Sequence, residues 1–450
     1  MRRPVSVEAV SITSQPGSVL TIPTTGYAID RLTLPNGLRV ILSTDRSAPV
    51  LGVAVLYDVG IRSEPEGRSG FAHLFEHLMF QGSENLEKLA HFRYVQASGG
   101  VFNGSTHLDY TDYYQTLPSN ALERALFLEA DRMRMPLITA ENMENQIAVV
   151  KEEIRVNVKN RPYGGFPWIL LPPVMFDTFP NAHDGYGSFA DLDAATVDDA
   201  VSFFNTYYAP GNAVLSVGGD IDVDETIALI ERHFGDITAR PVPTRPSFAE
   251  PDLTSERRTE HADALAPMPA LAMGWRVPDP IDDVTEYLPY AVLAEVLTDG
   301  DASRLVERLI LDDAIATSVS GYVSFMGEPF DVRDPTAILL QVHYPPQVSA
   351  EQVVRAVDEE IDRLANGGFT PGELERVKVR LAAHLLREGD AVLGRILAMA
   401  VLEQQRGRAE WVNDLPRMVG EVTPEQVIAA AAKLRPERRA VLEIVPGGSK

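Results

Sequence analysis

Three side chains that can bind a metal or a proton lie within five residues of one another in the segment FAHLFEHL, positions 71–78. His73 and His77 are four residues apart, so on a helix they share one face and can both reach a single ion. Glu76 lies three residues after His73 and can hold a water beside that ion. This arrangement predicts hydrolysis assisted by a bound metal ion.

The rest of this segment is almost entirely apolar, which predicts burial, and buried imidazoles and carboxylates are costly without partners. One interpretation is structural: both histidines bond to the backbone and Glu76 pairs with an arginine. The other is that a metal ion and its water satisfy all three groups. The order H-x-x-E-H is the inverted form of the zinc-peptidase helix motif, and it favours the metal.

A catalytic zinc ion needs a third protein ligand and one open position. The chain has no cysteine, so that ligand must be His, Asp or Glu. The segment ENMENQIAVVKEEIRVNV predicts an amphipathic helix whose buried stripe includes Val150 and Ile154. Glu153 lies next to this stripe, whereas Glu152 is rotated away from it. The spacing therefore favours Glu153 as the third ligand.

The first half of the chain alternates strand and helix patterns. The Asn36-Gly37 turn in RLTLPNGLRVILS predicts a hairpin, which is followed by a strand in VLGVAVLYDVG and then by the helix with the histidines. We expect a further helix over 84–97, paired strands in GGVFNGSTHLDYTDYYQTLP, and helices near 119–134 and 139–157. A helix, the strand NAVLSVGGD and a helix near 223–235 complete this half.

The second half repeats the first. FAHLFEHL matches YAVLAEVL at 290–297 in its apolar pattern, with Glu76 opposite Glu295. TVDDAVSFFNTYYAPGNAVLSV at 196–217 matches TPEQVIAAAAKLRPERRAVLEIV, which begins at Thr423. The two matches occur in the same order, which indicates a duplication.

The two copies differ where the chemistry is predicted. The second copy has Val292 and Val296 at the positions of His73 and His77. The scaffold therefore accepts apolar residues there, and we expect the histidines to serve chemistry rather than packing.

A proline-rich stretch, DITARPVPTRPSFAEPDL, separates the two copies. Such a composition is typical of an extended, rather stiff linker. We expect a zinc-binding domain at 1–235, a linker at 236–256, and a second domain without the zinc motif at 257–450.

Composition limits the classes of partner. The chain has 450 residues and a formal net charge of −24, which argues against nucleic acid and against anionic membrane surfaces. No apolar run reaches eighteen residues, so we expect no membrane span. No apolar signal segment follows the first arginines, so we expect the cytoplasm, or the periplasm if a signal peptide has been removed.

Together these residues resemble the M16 metallopeptidases, the pitrilysin and insulinase family. The resemblance covers nearly the whole chain and rests on HLFEH, VVKEEIR, GGVFNGSTHLDYTDYY and YYAPGNAVLSVGGDID. The chain is most similar to the short two-domain subunits, such as those of the mitochondrial processing peptidases and the bacterial M16B peptidases. The implied fold is α+β, with two homologous domains that each pack helices on a largely antiparallel sheet (the M16/LuxS-like fold).

The resemblance also implies roles for single residues. His73, His77 and Glu153 would bind one Zn²⁺ per chain, and Glu76 would be the general base for the attacking water. Asn103 and Gly104 fall in the family's substrate-binding strand. A peptide substrate would add there as a further strand at the sheet edge.

The chain departs from the family in its second half. Many active members carry an arginine and a tyrosine seven residues apart, which hold the substrate carbonyl. In the matching segment, SRLVERLILDDAIAT, those positions are Ile310 and Thr317. The departure implies a heterodimer in which a second M16-like subunit supplies the missing pair. A homodimer, a misaligned segment and a different donor are the alternatives.

These observations predict a zinc-dependent endopeptidase for short or unfolded peptides, acting as the catalytic subunit of that heterodimer. One alternative is a processing peptidase for basic leader peptides, which the negative charge would attract. Another is a non-catalytic scaffold subunit that retains zinc.

Overall fold

Two β-sheets, one from each half of the chain, form the frame of the computed structural model. The structure describes residues 22, 24–280, 283–325, 329–370 and 372–447. Helices cover both faces of each sheet. The fold is α+β, as predicted.

In its described residues, the first half contributes six strands and nine helices. The strands are β1 (Asp30–Thr33), β2 (Arg39–Thr44), β3 (Val50–Tyr57), β4 (Val101–Thr106), β5 (Thr111–Pro118) and β6 (Ala213–Gly219). The helices are α1 (Phe71–Leu78), α2 (Ala90–Ala97), α3 (Leu122–Arg134), α4 (Ala140–Ile154), α5 (Pro172–Met175), α6 (Phe179–Ala182), α7 (Phe189–Ala194), α8 (Val197–Tyr207) and α9 (Val223–Phe234).

The second half contributes five strands and six helices among its described residues. The strands are β7 (Arg257–Asp263), β8 (Ala270–Val277), β9 (Ser318–Val323), β10 (Thr336–His343) and β11 (Arg439–Pro446). The helices are α10 (Val284–Thr298), α11 (Ala350–Ala365), α12 (Glu373–Asp390), α13 (Val392–Arg406), α14 (Trp411–Gly420) and α15 (Pro424–Ala431).

Apart from the additional edge strand β1, the two sheets have the same strand order, which supports the duplication. The first sheet runs β1-β2-β6-β3-β5-β4 and the second runs β7-β11-β8-β10-β9. Strand β6 is parallel to β2, β11 is parallel to β7, and the remaining neighbours are antiparallel. Strands β4 and β9 are therefore equivalent edge strands.

Most of the predicted elements of the first half are present. Strands β1 and β2 pair as an antiparallel hairpin around Gly37, whose φ of +91° is favourable only for glycine. Strands β4 and β5 also pair as predicted. The helix expected over 84–97 is wrong at its start, because Ser83 bridges to Leu86 and Pro136 and the helix begins only at Ala90.

Further differences concern helix ends and short helices. Helix α4 ends at Ile154 and continues as a π-helical turn over Arg155–Lys159. Helices α5 to α7 give no signal in the sequence, because four to six residues are too few to show a helical period.

The two halves exchange packing elements. Helix α13 of the second half covers the outer face of the first sheet, where Ile396 and Met399 pack against Leu56 and Val214. The segment around α5 belongs to the first half but covers the outer face of the second sheet, where Leu171 packs. Each sheet is therefore completed by the other half.

Between α9 and β7 the chain has no helix or strand over residues 238–254. We keep the division into 1–235, 236–256 and 257–450 as a proposal about the duplicated units. Within the described residues, none of the helices combines the length and the apolar character that crossing a bilayer would require.

Candidate metal centre

Helix α1 carries the predicted motif, and its start is fixed by two neighbouring groups. Gly70 precedes the helix with a φ of +80°, and a Cβ there would lie 2.3 Å from the backbone oxygen of Tyr186. The buried carboxylate of Glu64 accepts hydrogen bonds from the backbone N–H groups of Gly70 (2.8 Å) and Ala72 (2.7 Å). A carboxylate at a helix N-terminus satisfies free N–H groups and complements the helix dipole.

The structure brings the three predicted ligands together. The Nε2 atoms of His73 and His77 are 3.3 Å apart, and Glu153 Oε2 lies 3.7 Å and 3.4 Å from them, respectively. Zinc bonds of about 2.0–2.2 Å in a tetrahedron require ligand atoms roughly 3.3–3.6 Å apart. Among the described residues this is the one group of three potential ligands that converges in this way. The triangle fits zinc.

Each ligand is held by a further contact or is buried. His77 Nδ1 lies 3.3 Å from Gln146 Oε1, which fixes the ring so that Nε2 faces the triangle. Tyr186 donates to Glu153 Oε1 at 3.3 Å, and Asn157 reaches the same oxygen at 3.4 Å. The ring of His73 lies edge-on to Tyr186, with 5.1 Å between the ring centroids.

The protonation of two of these three groups suits a cation. Burial and the neighbouring His77 lower the pKa of His73 to about 4, so its imidazole is neutral. The hydrogen bond with His77 lowers the pKa of Glu153, which keeps this carboxylate charged. Burial lowers the pKa of His77, but its contacts with Glu153 and Glu76 outweigh burial and raise it overall.

Glu76 lies beside the triangle and not in it. Its Oε2 accepts a hydrogen bond from Thr106 Oγ1 at 2.6 Å. Burial raises the pKa of Glu76, and the Thr106 hydrogen bond opposes this rise only in part. This carboxylate can therefore hold a proton closer to neutral pH than an exposed glutamate can.

The triangle opens into a cleft of about 660 Å³ between the two halves. Gly104, Ser105 and Thr106 of β4 form one wall, while Tyr322 and Phe325 come from the second half. A side chain at position 104 would be crowded, since a Cβ there would lie 3.2 Å from the ring of Phe80.

The predicted substrate residues lie on this edge strand. In register, Asn103 is opposite Tyr114 and Gly104 is opposite Tyr113. Gly104 lines the cleft, whereas Asn103 is exposed and does not line it.

The positions that depart from the family pattern are outside the cleft. Ile310 lies in the π-helical segment Val306–Asp312 and packs against the second core. The hydroxyl of Thr317 donates to the backbone oxygen of His343 at 3.1 Å. Arg62 is the one arginine among the described residues of the cleft wall, and its guanidinium binds Asp109 and backbone oxygens. No free arginine faces the triangle from the described part of this chain.

Several contributors to the site lie outside the residues that the sequence predicts. Glu64, Thr106, Gln146 and Tyr186 hold the helix, the base and the ligands. His183 also belongs here, because its Nε2 lies 2.8 Å from Glu64. Spacing within one helix gives no signal for four of them, since they come from other elements, whereas Gln146 lies on α4 two turns before Glu153.

Two family models match this chain. The model described as "Insulinase (Peptidase family M16)" matches residues 39–163, and "Peptidase M16 inactive domain" matches residues 194–381. The first match contains the triangle. The second contains Val292 and Val296 and begins before the proline-rich stretch, so it does not fix the limit between the domains.

Two known proteins are similar over most of the chain, and a third is similar over less than half of it. The "Zinc protease PqqE" of Helicobacter pylori is 27% identical over 412 residues, which are 87% of this chain and 89% of that protein. The beta subunit of the mitochondrial-processing peptidase of Caenorhabditis elegans is 25% identical over 46% of this chain and 44% of its own. A crystal structure of a protease from Helicobacter pylori has the same fold, with a TM-score of 0.85, 23% identity, and coverage of 93% of this chain and 100% of that one.

Proposed function

The chain belongs to peptidase family M16 and is a zinc metalloprotease, and we propose that it hydrolyses short or unfolded peptides as the zinc-bearing subunit of a heterodimer. The observation that carries this proposal is the triangle of His73, His77 and Glu153 with Glu76 beside it. We propose one Zn²⁺ per chain.

Glu76 acts as the general base in this proposal. When bound, zinc supplies Lewis-acid polarisation of the scissile carbonyl and of the attacking water. Glu76 takes a proton from that water and passes it to the leaving amine, while Thr106 holds one of its carboxylate oxygens. The raised pKa of Glu76 suits both steps, because the group must accept and then release a proton near neutral pH.

We propose that the substrate binds along β4. This strand lies at the sheet edge, so a peptide in extended form can pair with its free backbone groups. Gly104 lets that peptide come close to the cleft wall, and Asn103 holds the peptide backbone near the scissile bond. Recognition through backbone groups makes few demands on the substrate sequence.

A second M16-like subunit completes the site in this proposal. Ile310 offers no hydrogen bond, and Thr317 already donates to His343, so neither can hold the substrate carbonyl. Losing one such donor slows an enzyme by about a hundredfold to a thousandfold. A partner that carries the arginine and tyrosine would restore the rate, whereas a homodimer would lack the pair in both copies.

The test is cleavage of a quenched oligopeptide by the zinc-loaded chain, first alone and then mixed with M16-like subunits that carry the missing pair. We expect little cleavage by the chain alone and at least a hundredfold increase with the right partner. Full activity of the chain alone would contradict the heterodimer. Inactivity with every such partner would favour a scaffold subunit.

A processing peptidase for basic leader peptides is the second candidate, favoured by the net charge of −24. Cleavage would then prefer arginine- and lysine-rich peptides and would weaken as salt screens the attraction.

We also propose that this chain is located in the cytoplasm, or in the periplasm if a signal peptide has been removed. Cell fractionation tests this proposal.

A further inference from the structure

A segment of the second half lies against the turn that follows strand β4. This junction segment, residues 331–335, immediately precedes β10. The turn, residues 107–110, joins β4 to β5, and the backbone N–H of His107 closes it by donating to the backbone oxygen of Tyr110 at 2.9 Å. The turn and the junction segment come from different halves, so their contact is part of the junction between the halves.

Asp109 anchors this turn to the second half. Its side chain is fully buried, and its Oδ2 accepts a hydrogen bond from the backbone N–H of Arg333 at 2.8 Å. Arg62 of the first half donates to the same oxygen at 3.3 Å and to the backbone oxygen of Arg333 at 3.2 Å. Arg62 also donates to the backbone oxygen of Pro335. One buried guanidinium group therefore joins the turn to the junction segment.

Side chains of the junction segment add contacts with the first half. Arg333 donates to Asp58 Oδ1, directly after β3. Asp331 Oδ2 lies 3.6 Å from the ring nitrogen Nδ1 of His107 in the turn. Because a buried charge without a partner is costly, these contacts favour one placement of the turn against the second half.

The anchored turn begins directly after the residue that holds Glu76. Thr106 is the last residue of β4, and its hydroxyl donates to Glu76 Oε2 at 2.6 Å. A hydrogen bond weakens steeply as its geometry departs from the ideal, so a small shift of the end of β4 would loosen this contact. The placement of the turn therefore bears on how Thr106 meets Glu76.

Strand β4 has little other support. It lies at the edge of the first sheet, and among the described strands it pairs with β5 alone. An edge strand is held by fewer hydrogen bonds than an inner strand, so it is displaced more easily. The anchored turn supplies part of the support that a second neighbouring strand would give.

We propose that the second half, which lacks the two histidines, positions the general base of the metal centre. The junction segment holds Asp109, and the anchored turn keeps the Thr106 hydroxyl in reach of Glu76. Asp109 and Arg333 are positioning residues, since they lie outside the cleft wall and act through Thr106. This inference rests on the proposed peptidase function.

The test is a double-mutant cycle between Asp109 and Thr106. It measures cleavage of a quenched oligopeptide by the zinc-loaded chain with the partner that gives activity. Asp109→Asn removes the charge that Arg62 binds, and Thr106→Val removes the hydroxyl at nearly the same shape. We expect each variant to lower kcat by about tenfold to a hundredfold, with zinc content unchanged.

The double variant distinguishes positioning from a general loss of structure. If Asp109 acts through Thr106, the double variant should be no more than about twofold slower than Thr106→Val alone. Losses that multiply would show two independent effects and would overturn the proposal.

Arg62→Lys covers the case in which Asp109→Asn fails to fold. Lysine keeps the positive charge beside Asp109, but it lacks the planar fork that binds a carboxylate and backbone oxygens together. We expect this variant to fold and to bind zinc, with kcat lowered by about tenfold. An unchanged kcat in Arg62→Lys and in every folded Asp109 variant would contradict the role of the anchor.

The matched control is Asp45→Asn. Asp45 follows β2 and pairs with the buried Arg395 of α13 at 2.8 Å, so it also joins the two halves through an ion pair. It lies outside the cleft wall and away from the turn. Cleavage by this control should equal that of the unaltered chain. A loss as large as that of Asp109→Asn would mean that any weakened contact between the halves slows the reaction, and would overturn the role of the turn.

Amide hydrogen exchange tests the anchor without cleavage, in the zinc-loaded chain alone. Arg333→Gln changes only the second half, yet the His107 N–H in the first half should exchange about tenfold faster. Its exchange should stay unchanged in Asp45→Asn. Equal exchange in all three proteins would refute the anchor. A chain that no partner activates would refute the peptidase function, while faster exchange in Arg333→Gln would still show that the junction segment holds the end of β4.

Discussion

Two of the three proposed ligand side chains are already in the protonation state that binds a cation. His73 is held neutral by burial and by His77, while Glu153 is kept charged by its hydrogen bond with His77. A neutral imidazole and an ionised carboxylate are the forms that bind metal, so His77, whose pKa is raised, is the group that must release a proton on binding. Gln146 adds orientation, because its Oε1 contacts the far ring nitrogen of His77.

Gln146→Ala should weaken zinc binding by about tenfold to a hundredfold, the usual effect of removing a partner of a ligating histidine. The variant leaves all three ligands in place. Competition with a zinc chelator measures the change in affinity. Gln96→Ala is the matched control, since Gln96 is exposed on α2, and it should bind zinc like the unaltered chain. Equal affinity of the Gln146 variant and this control would contradict the role of Gln146.

Asp112 should give folding stability a measurable pH dependence. Burial raises its pKa from 3.8 to about 6 in the folded chain, so the folded state binds this proton more tightly than the unfolded state does. The resulting stabilisation is present below about pH 4 and is lost as the pH rises through about 6.

Asp112→Asn removes that titration. From pH 4 to pH 7 the difference in unfolding free energy should move by about 2 kcal/mol in favour of the variant. Chemical denaturation of both proteins across this pH range measures the shift. A difference that stays constant with pH would contradict the assigned pKa.

Helix α1 depends on its first residues for its position. Glu64 binds its N-terminal N–H groups, and Gly70 packs directly against the backbone at Tyr186. The hydroxyl of Tyr186 also donates to Glu153, the proposed third ligand. The loop at Tyr186 therefore orients both the helix and this carboxylate. Displacement of this helix start would therefore disturb the whole triangle.

Gly70→Ala should impair both folding and zinc binding. Gly67 and Gly70 have the same φ of +80°, so alanine carries a similar conformational cost of about 1–2 kcal/mol at each. Only at Gly70 does the added Cβ meet backbone, 2.3 Å away, whereas at Gly67 nothing lies within 4 Å. Thermal unfolding and zinc titration compare the variants. Equal losses in the two would contradict the packing argument.

Local patterns predicted the motif-bearing elements better than their surroundings. The four-residue spacing of His73 and His77 and the stripe beside Glu153 were sufficient to nominate the triangle, because each signal lies within one helix. Glu64 and Tyr186 gave no such signal, since they reach the site from loops outside these helices. Helix α2 begins at Ala90 and not at residue 84, because the β-bridges from Ser83 to Leu86 and to distant Pro136 override the local helical pattern.

The molecule is held together by exchange between its halves. Ile396 of α13 fits where the first sheet has glycine, since a Cβ at Gly52 or Gly218 would lie 2.6 Å or 2.7 Å from it. Leu171 makes the reverse contact with the second sheet. Sequence patterns could not reveal this arrangement, because an amphipathic helix does not specify which sheet it covers.

Cutting the proline-rich stretch should leave the two halves associated. A specific protease site inserted between Pro243 and Pro246 lies in an exposed segment without helix or strand. Size-exclusion chromatography after cleavage should give one native peak containing both fragments, which separate only in denaturant. Separate elution under native conditions would contradict the exchange of α13 and the α5 segment.

The central claim is that His73, His77 and Glu153 hold zinc while Glu76 transfers the proton. The most direct measurement pairs zinc content with peptide cleavage, for the unaltered chain and Glu76→Gln, each with the partner that gives activity. We predict one zinc per chain in both proteins and at least a thousandfold slower cleavage by the variant. Loss of zinc from Glu76→Gln, or cleavage at the unaltered rate, would contradict the account.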